Sequence, residues 1–402
     1  MKKLLPSVKL PPWRQILLLL FCWTILPFFL VEVIMIVSEP YLFRGLYQYD
    51  PDMGFKIRGH ANGNNQFGFN DRDYPLQPDP DIFRMLILSD SFNWAGGQQG
   101  NYTALLENQF REHYGQHQVD VINAGYPGTH TAEQLALLKK YGLQYNPHLV
   151  VLGFFVGNDF VDADPYRKRI IVNDLYIDID PRQELIIFGY PIIPKSRLLL
   201  FIQQKYKIFR EAARSQQSQQ SHQLPQSQLV ATTEAIALDE PETSPGILSL
   251  EKFLDVERGR MSFCNIEKLQ NGDRDANINY ILDSISEMNA ILQDRNIKFI
   301  VAIYPDEYQV NDHLLNQLQS TFYLNLDDYD ITCQQNILIS HLESNNIPYI
   351  DLTPRFRVEQ QNRHLYLFQE PHWNSHGNQL AKDILFEHLV KITDSVFAPE
   401  EK

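Results

Sequence analysis

Short apolar runs alternate with amphipathic stretches along most of the chain after residue 82. The runs are apolar on both faces, as is typical of parallel strands that are covered by helices on each side. They lie at Phe83–Leu88, Val119–Asn123, Leu149–Phe155, Phe299–Tyr304 and Tyr349–Leu352. Helical periodicity is found at Tyr102–Tyr114, Ala132–Tyr145, Asp275–Arg295, Ile331–Asn345 and Ser375–Val390. This alternation predicts an α/β fold, a three-layer sandwich around a mainly parallel five-stranded sheet.

Two stretches interrupt the alternation after the third predicted strand. Residues 169–190 alternate like a β-hairpin, and residues 196–214 have the pattern of an amphipathic helix. Of residues 215–228, 11 of 14 are Ser or Gln, a composition that buries too little apolar area to offset the loss of chain entropy. We therefore expect one α/β domain at 82–402, with an insertion at 160–273 that includes a disordered Gln/Ser-rich linker at 215–246.

The first forty residues have a different pattern. Residues 15–37 are almost wholly apolar, and a helix of that length crosses about 30 Å of hydrocarbon. Basic residues precede this stretch, so the positive-inside rule predicts that residues 1–14 are cytoplasmic and that the rest lies on the extracytoplasmic side, periplasmic or outer. The alternative is a cleaved signal peptide, although no small-x-small cleavage pattern follows. Residues 41–81 are rich in Gly, Asn, Asp and Pro and are predicted to be a lead-in segment that wraps the sheet.

Polar, turn-forming stretches follow the predicted strands. They are Ser89-Asp90-Ser91 after the first strand, residues 124–129 after the second, residues 156–159 after the third, and residues 370–374 beyond the fifth. Because the carboxyl ends of parallel strands meet at one edge of a sheet, these stretches are expected to lie together. They contain a hydroxyl, a flexible backbone, a carboxamide, and an imidazole beside a carboxylate, the groups that acyl transfer needs. Ser91 N–H, Gly128 N–H and the Asn158 amide are candidate donors to an oxyanion.

The same stretches resemble the conserved blocks of the SGNH or GDSL-like hydrolases. "LILSDSF" resembles the first block, "NAGYPG" the second, "GND" the third and "EPHWN" followed by "HG" the last, over residues 83–159 and 298–390. The resemblance implies a flavodoxin-like fold in which Ser91 is the nucleophile, Gly128 and Asn158 are oxyanion partners, and His372 is the base. We expect Glu370, or else a backbone carbonyl, to orient His372. The resemblance also implies hydrolysis or transfer of an O-acyl ester, without a metal or a diffusible cofactor. The membrane-tethered layout, with "IYPDEYQV" after the fourth strand, is similar to enzymes that acetylate or deacetylate envelope polysaccharides, and this makes an O-acylated carbohydrate the expected substrate.

Three positions depart from the family pattern. Ser89 stands where Gly is usual, Asn93 where Thr is common, and Glu370 where an Asp is expected two or three residues before the His. A side chain at Ser89 is either tolerated or distorts the turn, and Glu370 reaches His372 only if its loop is placed differently. A non-catalytic, membrane-anchored carbohydrate-binding or assembly protein is therefore an alternative. A third hypothesis is a metal-dependent hydrolase that uses Glu370, His372 and His376, although no HExxH pattern accompanies them.

Composition narrows the possible partners. Apolar residues make up 44% of the chain, and its 24 Phe and 20 Tyr are enough for a packed core. A net charge of −14 without a basic stripe argues against nucleic acid as a partner. Cys22 lies in the predicted anchor. The two other cysteines, Cys264 and Cys333, are either disulfide-bonded or free structural thiols.

Overall fold

The computed structural model describes residues 11–42, 45–115, 118–187, 190–193, 195–206, 209–210 and 248–397. The linker predicted at 215–246 lies outside these residues. The chain divides into two compact units, one from Met1–Phe55 and Lys168–Thr233 and the other from Lys56–Arg167 and Glu234–Lys402. The predicted catalytic residues all belong to the second unit.

A five-stranded parallel sheet forms the centre of the second unit. The strands of the described chain are β1 (Tyr47–Asp50), β2 (Gly54–Ile57), β3 (Phe83–Ser89), β4 (Val119–Gly125), β5 (Leu149–Phe155), β6 (Lys168–Val172), β7 (Leu175–Ile179), β8 (Leu185–Ile187), β9 (Tyr190–Ile192), β10 (Lys298–Tyr304) and β11 (Tyr349–Asp351). The order in the large sheet is β11-β10-β5-β3-β4, and each neighbouring pair is parallel. The α/β class and the five predicted sheet strands are therefore confirmed.

Helices cover both faces of this sheet. The α-helices of the second unit are Gly97–Gly100, Tyr102–Tyr114, Thr131–Lys140, Leu250–Met261, Ile266–Gln270, Asp275–Gln293, Glu307–Val310, Asp312–Phe322, Cys333–Ser344, Thr353–Gln360 and Ser375–Phe397. On one face, Met85 and Ile87 of β3 belong to a core with Phe110 and Ile384, which come from the second and the last of these helices. Leu86 lies between Met85 and Ile87 in β3, so its side chain points to the other face of the sheet. There it packs so closely against Gly142, which follows the helix Thr131–Lys140, that a side chain at Gly142 would collide with it. The predicted three-layer arrangement is confirmed.

The helix predicted at Ala132–Tyr145 is shorter than expected. The α-helix ends at Lys140, and residues Gly142–Tyr145 form a separate 3-10 turn. The helices Leu250–Met261, Asp312–Phe322 and Thr353–Gln360 were not predicted.

Residues of the lead-in segment cover the edge strand β4. The Asp71 carboxylate accepts the Asn123 N–H at 2.9 Å, and the Tyr74 hydroxyl donates to the Val121 carbonyl at 3.3 Å. The helix behind the strand adds Glu107, whose carboxylate accepts the Val121 N–H at 3.1 Å. These side chains satisfy edge groups that would otherwise be free to pair with another strand.

The insertion contains two hairpins where the sequence predicted one. β6 and β7 pair antiparallel through the turn residues Asn173 and Asp174, which both have positive φ (50° and 58°), as favoured two-residue hairpin turns require. β8 then pairs with β9. The apparent single alternation is broken by the 3-10 turn Pro181–Gln183, where proline fixes φ and the Asp180 carboxylate accepts the Arg182 N–H.

The N-terminal segment is helical and apolar. The α-helices Pro12–Leu20 and Leu26–Leu42 flank a π-helical turn at Phe21–Ile25. The combined helix Trp13–Glu39 has 27 residues, and an 18-residue window within it has a mean hydropathy of 2.5, so by length and composition it is able to cross a membrane. The π turn ends two residues before Pro27, which has no N–H to continue the regular hydrogen-bond ladder.

Cys264 and Cys333 form a disulfide with a Cα–Cα distance of 5.7 Å. Of the two states that the sequence left open, the structure therefore shows the bridged one. Cys264 ends the 3-10 turn Ser262–Cys264, which directly follows the helix Leu250–Met261, and Cys333 is the first residue of the helix Cys333–Ser344.

Removal of this disulfide should lower the free energy of unfolding. The bridge closes a loop of 69 residues, and the chain-entropy model gives about 4 kcal/mol for a loop of that length. We expect the Cys264→Ala/Cys333→Ala variant of the full chain, in detergent, to unfold at a clearly lower denaturant concentration. Cys22→Ala, at an exposed unpaired cysteine, is the control. An unchanged midpoint for the double variant would contradict the assignment.

Candidate active site

Ser91 lies on a tight turn at the carboxyl end of β3. Asp90 begins the 3-10 turn Ser91–Asn93, and its carboxylate accepts the Phe92 N–H at 3.0 Å. Phe92 and Asn93 are fully buried, and the Asn93 amide donates to the Ile87 carbonyl at 3.0 Å. The turn is therefore fixed from below, whereas Ser91 itself stays half-buried.

His372 lies on a loop that folds back on itself. The Leu367 N–H donates to the His372 carbonyl at 2.8 Å, and Gln369 adopts a left-handed conformation (φ 52°) that makes the turn tight. Trp373 is fully buried, with its ring centroid 4.7 Å from that of Phe92 and 4.8 Å from that of Tyr304. The residue after His372 thus packs on the residue after Ser91.

The structure brings Ser91, His372 and Glu370 together. His372 Nε2 lies 2.7 Å from Ser91 Oγ, and His372 Nδ1 lies 2.8 Å from Glu370 Oε1. An ionised Glu370 only accepts hydrogen bonds, so Nδ1 carries the ring proton and Nε2 is left to accept from the Ser91 hydroxyl. The histidine and the glutamate are each about one fifth exposed, so the site opens to solvent.

The three departures from the family pattern are accommodated. The Ser89 hydroxyl donates to the Gly153 carbonyl at 2.9 Å, which satisfies a fully buried group. The Asn93 side-chain oxygen accepts a hydrogen bond from the Tyr102 hydroxyl. Asn93 also packs against Gly125 so closely that a Cβ atom at Gly125 would lie 2.2 Å from Asn93 Cβ. Glu370 reaches the ring because the left-handed residue before it turns the loop back. None of these positions distorts the Ser91–His372 contact.

The predicted oxyanion residues belong to the loops that follow β4 and β5. The first loop is held beside β3 by the Tyr126 N–H, which donates to the Ser89 carbonyl at 3.1 Å. Two residues further on, Gly128 is exposed and has a φ of 75°, a conformation that favours glycine. In the second loop, Asn158 Nδ2 donates to Asp90 Oδ2 at 2.7 Å, so one of its two amide hydrogens is engaged and the other remains to donate.

Asp90 has a larger part in this geometry than its place in the sequence indicated. Considered alone, it was an ordinary turn residue, yet the structure buries it and ties it to both Phe92 N–H and the Asn158 amide. Burial raises the pKa of its carboxyl, whereas the hydrogen bond from Phe92 and the nearby His372 lower it. Asp90 therefore fixes the orientation of Asn158 relative to Ser91.

A buried group of charged residues lies beyond Asp90. Arg260 Nη1 is 2.9 Å from Glu257 Oε1 and 3.5 Å from Asp306 Oδ1, and the guanidinium lies 5.1 Å from the centre of the Phe155 ring. Burial raises the pKa of Glu257 well above its ordinary value and that of Glu307 to about 8. The positive charge of Arg260 acts on Asp90 in the opposite direction and lowers its pKa. Glu257 and Arg260 lie outside every motif of the sequence, whereas Asp306 and Glu307 fall within the "IYPDEYQV" stretch after the fourth predicted strand.

The hypothesis of a metal site has no counterpart in the described part of the chain, where no group of three His, Cys, Asp or Glu side chains is placed to hold a metal ion. Both ring nitrogens of His372 already contact Ser91 and Glu370.

Residues 263–396 match the family model of the SGNH hydrolase-like domain of the acetyltransferase AlgX. About a third of the chain, at its C-terminal end, is therefore similar to an SGNH hydrolase-like domain. The resemblance found in the sequence motifs is thereby confirmed, and the matched region contains Glu370 and His372 but not Ser91, Gly128 or Asn158. No curated protein sequence matches the chain.

Several solved structures are similar to the chain at low identity. The acetyl xylan esterase AlAXEase is 16% identical with a TM-score of 0.39, over 76% of this chain and 98% of that one. A catalytic mutant of the acetylxylan esterase Axe2 from Geobacillus stearothermophilus is 8% identical (TM-score 0.38, covering 76% and 95%). The lipase/acylhydrolase from Enterococcus faecalis is 13% identical (TM-score 0.37, covering 77% and 97%). Likenesses this weak carry no conclusion about the substrate of the chain.

The raised pKa of Glu307 predicts a measurable effect on stability. Between pH 5 and pH 8, folded Glu307 keeps a proton that the unfolded chain, with an ordinary pKa of 4.5, has lost. Stability therefore falls as the pH rises through this window, by up to about 1.4 kcal/mol per pH unit. Glu307→Gln removes this titration and should become progressively more stable relative to wild type from pH 5 to pH 8.

The measurement is denaturant unfolding of the full chain at several pH values. Glu112→Gln, at an exposed position, is the matched control. A constant difference between Glu307→Gln and wild type across the window would show that folding does not raise the pKa of Glu307.

Proposed function

We propose that the chain is a serine-dependent O-ester hydrolase or O-acyltransferase of the SGNH type. One observation carries this proposal: a hydroxyl, an imidazole and a carboxylate are joined in series, with 2.7 Å from Ser91 Oγ to His372 Nε2 and 2.8 Å from His372 Nδ1 to Glu370 Oε1. Such a series activates a hydroxyl for attack on an acyl carbon.

The reaction follows from these contacts. His372 Nε2 takes the proton of the Ser91 hydroxyl while Oγ attacks the acyl carbonyl, and Glu370 stabilises the imidazolium that forms. Ser91 N–H, Gly128 N–H and the second Asn158 amide hydrogen donate to the oxyanion. The tetrahedral intermediate collapses, the alcohol leaves with the proton from His372, and an acyl group remains on Ser91. Water or a sugar hydroxyl then loses its proton to His372 and attacks this ester. The acyl group is released as an acid or a new ester, and Ser91 Oγ takes the proton back from His372.

We propose acetyl esters of an envelope polysaccharide or glycan as the substrate, on the extracytoplasmic side of a membrane. The AlgX acetyltransferase model that matches the C-terminal part of the chain supports the acetyl group. The apolar helix Trp13–Glu39 and the basic residues before it support an anchor with this orientation. The Cys264–Cys333 disulfide supports the location, since such bridges persist in oxidising compartments.

A non-catalytic carbohydrate-binding or assembly protein is the second candidate. It is favoured by the extent of the family match, which leaves out the segments that carry Ser91, Gly128 and Asn158. The two candidates differ in whether Ser91 reacts.

Ser91→Ala should abolish the reaction of the folded chain with a fluorophosphonate probe and lower its hydrolysis of p-nitrophenyl acetate by about 10³-fold or more. The loss is expected because the alanine has no hydroxyl for His372 to activate. Ser89→Ala is the matched control, as it removes a neighbouring hydroxyl that points to the Gly153 carbonyl. Equal rates for wild type and Ser91→Ala would leave only the binding function.

Glu370→Gln should lower kcat by about 10²- to 10⁴-fold and change KM much less. A neutral carboxamide neither fixes the Nδ1–H form of His372 nor stabilises the imidazolium. Steady-state hydrolysis of p-nitrophenyl acetate by the full chain measures both constants. The control is Glu359→Gln, on the preceding helix Thr353–Gln360. An unchanged kcat for Glu370→Gln would mean that Ser91 and His372 act without the carboxylate.

A further inference from the structure

Glu32 is an ionisable residue within the apolar helix Trp13–Glu39. Its carboxylate accepts the Arg197 N–H at 2.7 Å, the Leu198 N–H at 3.2 Å and the Ser196 hydroxyl. A carboxylate in a membrane span is costly unless it has partners, and here the start of a second helix supplies them. The helix at 197–206 therefore begins directly against the proposed anchor.

A second carboxylate strengthens this junction. The Glu39 carboxylate accepts the Asn173 N–H at 2.8 Å and lies 3.7 Å from Arg197 Nε. Arg197 is buried and donates to the Pro191 carbonyl at 2.6 Å, so the hairpin β8–β9 is held at the same place. The junction fixes the helix and this hairpin to the end of the apolar span.

The helix at 197–206 has two apolar sides. Leu200 is buried in a core with Ile170, Val172 and Ile177 of the hairpin β6–β7. The other side carries Leu199, Ile202 and Tyr206, which follow the spacing of one helix face. Their exposed fractions are 60%, 53% and 65%, and Phe209, also helical, is 72% exposed. An amphipathic helix of a soluble domain would present polar residues there.

The residues around this face combine exposed basic and apolar side chains, a combination that suits contact with lipid headgroups. Lys195, Lys205 and Arg210 are exposed beside it. The strand β8 adds Leu185, Ile186 and Ile187, each between 42% and 54% exposed. Helices that lie in the plane of a membrane combine Leu, Ile or Phe on one face with Lys and Arg at its border, and they bury the apolar face about 5–10 Å deep.

The depth of the junction agrees with such a placement. Glu32 and Glu39 are seven positions apart, so at about 1.5 Å per residue Glu32 lies about 10 Å from that end of the span. The full 27-residue helix is about 40 Å long, which matches the bilayer with its headgroups. The helix at 197–206, whose first residues donate to Glu32, therefore begins just inside the hydrocarbon boundary.

We propose that the exposed apolar face of the helix at 197–206, together with the tip of β8, inserts into the same bilayer leaflet that Glu32 enters. This inference rests on the proposed membrane anchor and adds a second membrane contact to it. Lipid acyl chains contact the apolar face, and anionic or zwitterionic headgroups contact Lys195, Lys205 and Arg210 at its border. The first unit is then seated in the membrane surface rather than tethered to it by one helix.

The test is fluorescence quenching of the full chain in liposomes of phosphatidylcholine and phosphatidylglycerol that carry nitroxide-labelled acyl chains. An environment-sensitive fluorophore is attached at Ile202→Cys in a Cys22→Ser background. The native Cys22, exposed in the span, is labelled in a separate sample to report on the anchor. Asp178→Cys is the matched control, because Asp178 is exposed on the side of β7 opposite to Ile177, which packs towards the helix. Circular dichroism checks that each variant is folded.

We expect the labels at Cys22 and Ile202→Cys to be quenched by the lipid nitroxide and the label at Asp178→Cys to remain bright. Quenching at Cys22 without quenching at Ile202→Cys overturns the inference and leaves the anchor in place. A label at Ile202→Cys that is protected from aqueous iodide but not quenched by lipid also overturns it, because a second copy or another protein then covers the face. If Cys22 itself is not quenched, the anchor fails and this inference falls with it, whereas the reactivity of Ser91 is unaffected.

Discussion

The contact between the rings of Phe92 and Trp373 determines where the reactive groups lie. Ser91 and His372 are 281 positions apart in the chain, and neither is held mainly by the hydrogen bond that joins them. Each instead precedes a fully buried aromatic residue, and the two ring centroids are 4.7 Å apart beneath the site. Because the two buried rings are closely packed, they fix the backbone on either side and so set the positions of the Ser91 and His372 side chains. The geometry of the site is thus a property of the core.

Charged groups other than Glu370 and His372 also act on the surroundings of Ser91. Asp90 is a buried carboxyl next to Ser91, and a full negative charge there would oppose an oxyanion held by Asn158. Burial raises the pKa of Asp90, whereas nearby Arg260 favours its ionised form. Arg260 in turn lies between Glu257 and Asp306. The charge of Asp90, beside the proposed oxyanion position, is therefore influenced by residues that contact neither Ser91 nor His372.

Local patterns in the sequence predicted the five sheet strands and the polar loops after them, because a strand that is apolar on both faces and a turn that follows it are each recognisable alone. The expectation that Ser91, Gly128, Asn158 and His372 lie together came from the rule that parallel strands end at one edge. The link between Asp90 and Asn158, and the place of Arg260, depend on contacts between distant segments, which no local pattern encodes. The reach of Glu370 depends on one backbone angle at Gln369, a residue type that seldom adopts it.

The disulfide has a consequence for how the protein matures. The helix Leu250–Met261, which carries Glu257 and Arg260, is followed at once by Cys264, and the bridge from there to Cys333 clamps the far end of that helix to the domain. In a chain whose two thiols are still reduced, the helix with Glu257 and Arg260 lacks this covalent link. We therefore expect the charged residues behind Asp90 to be held less firmly until the disulfide has formed.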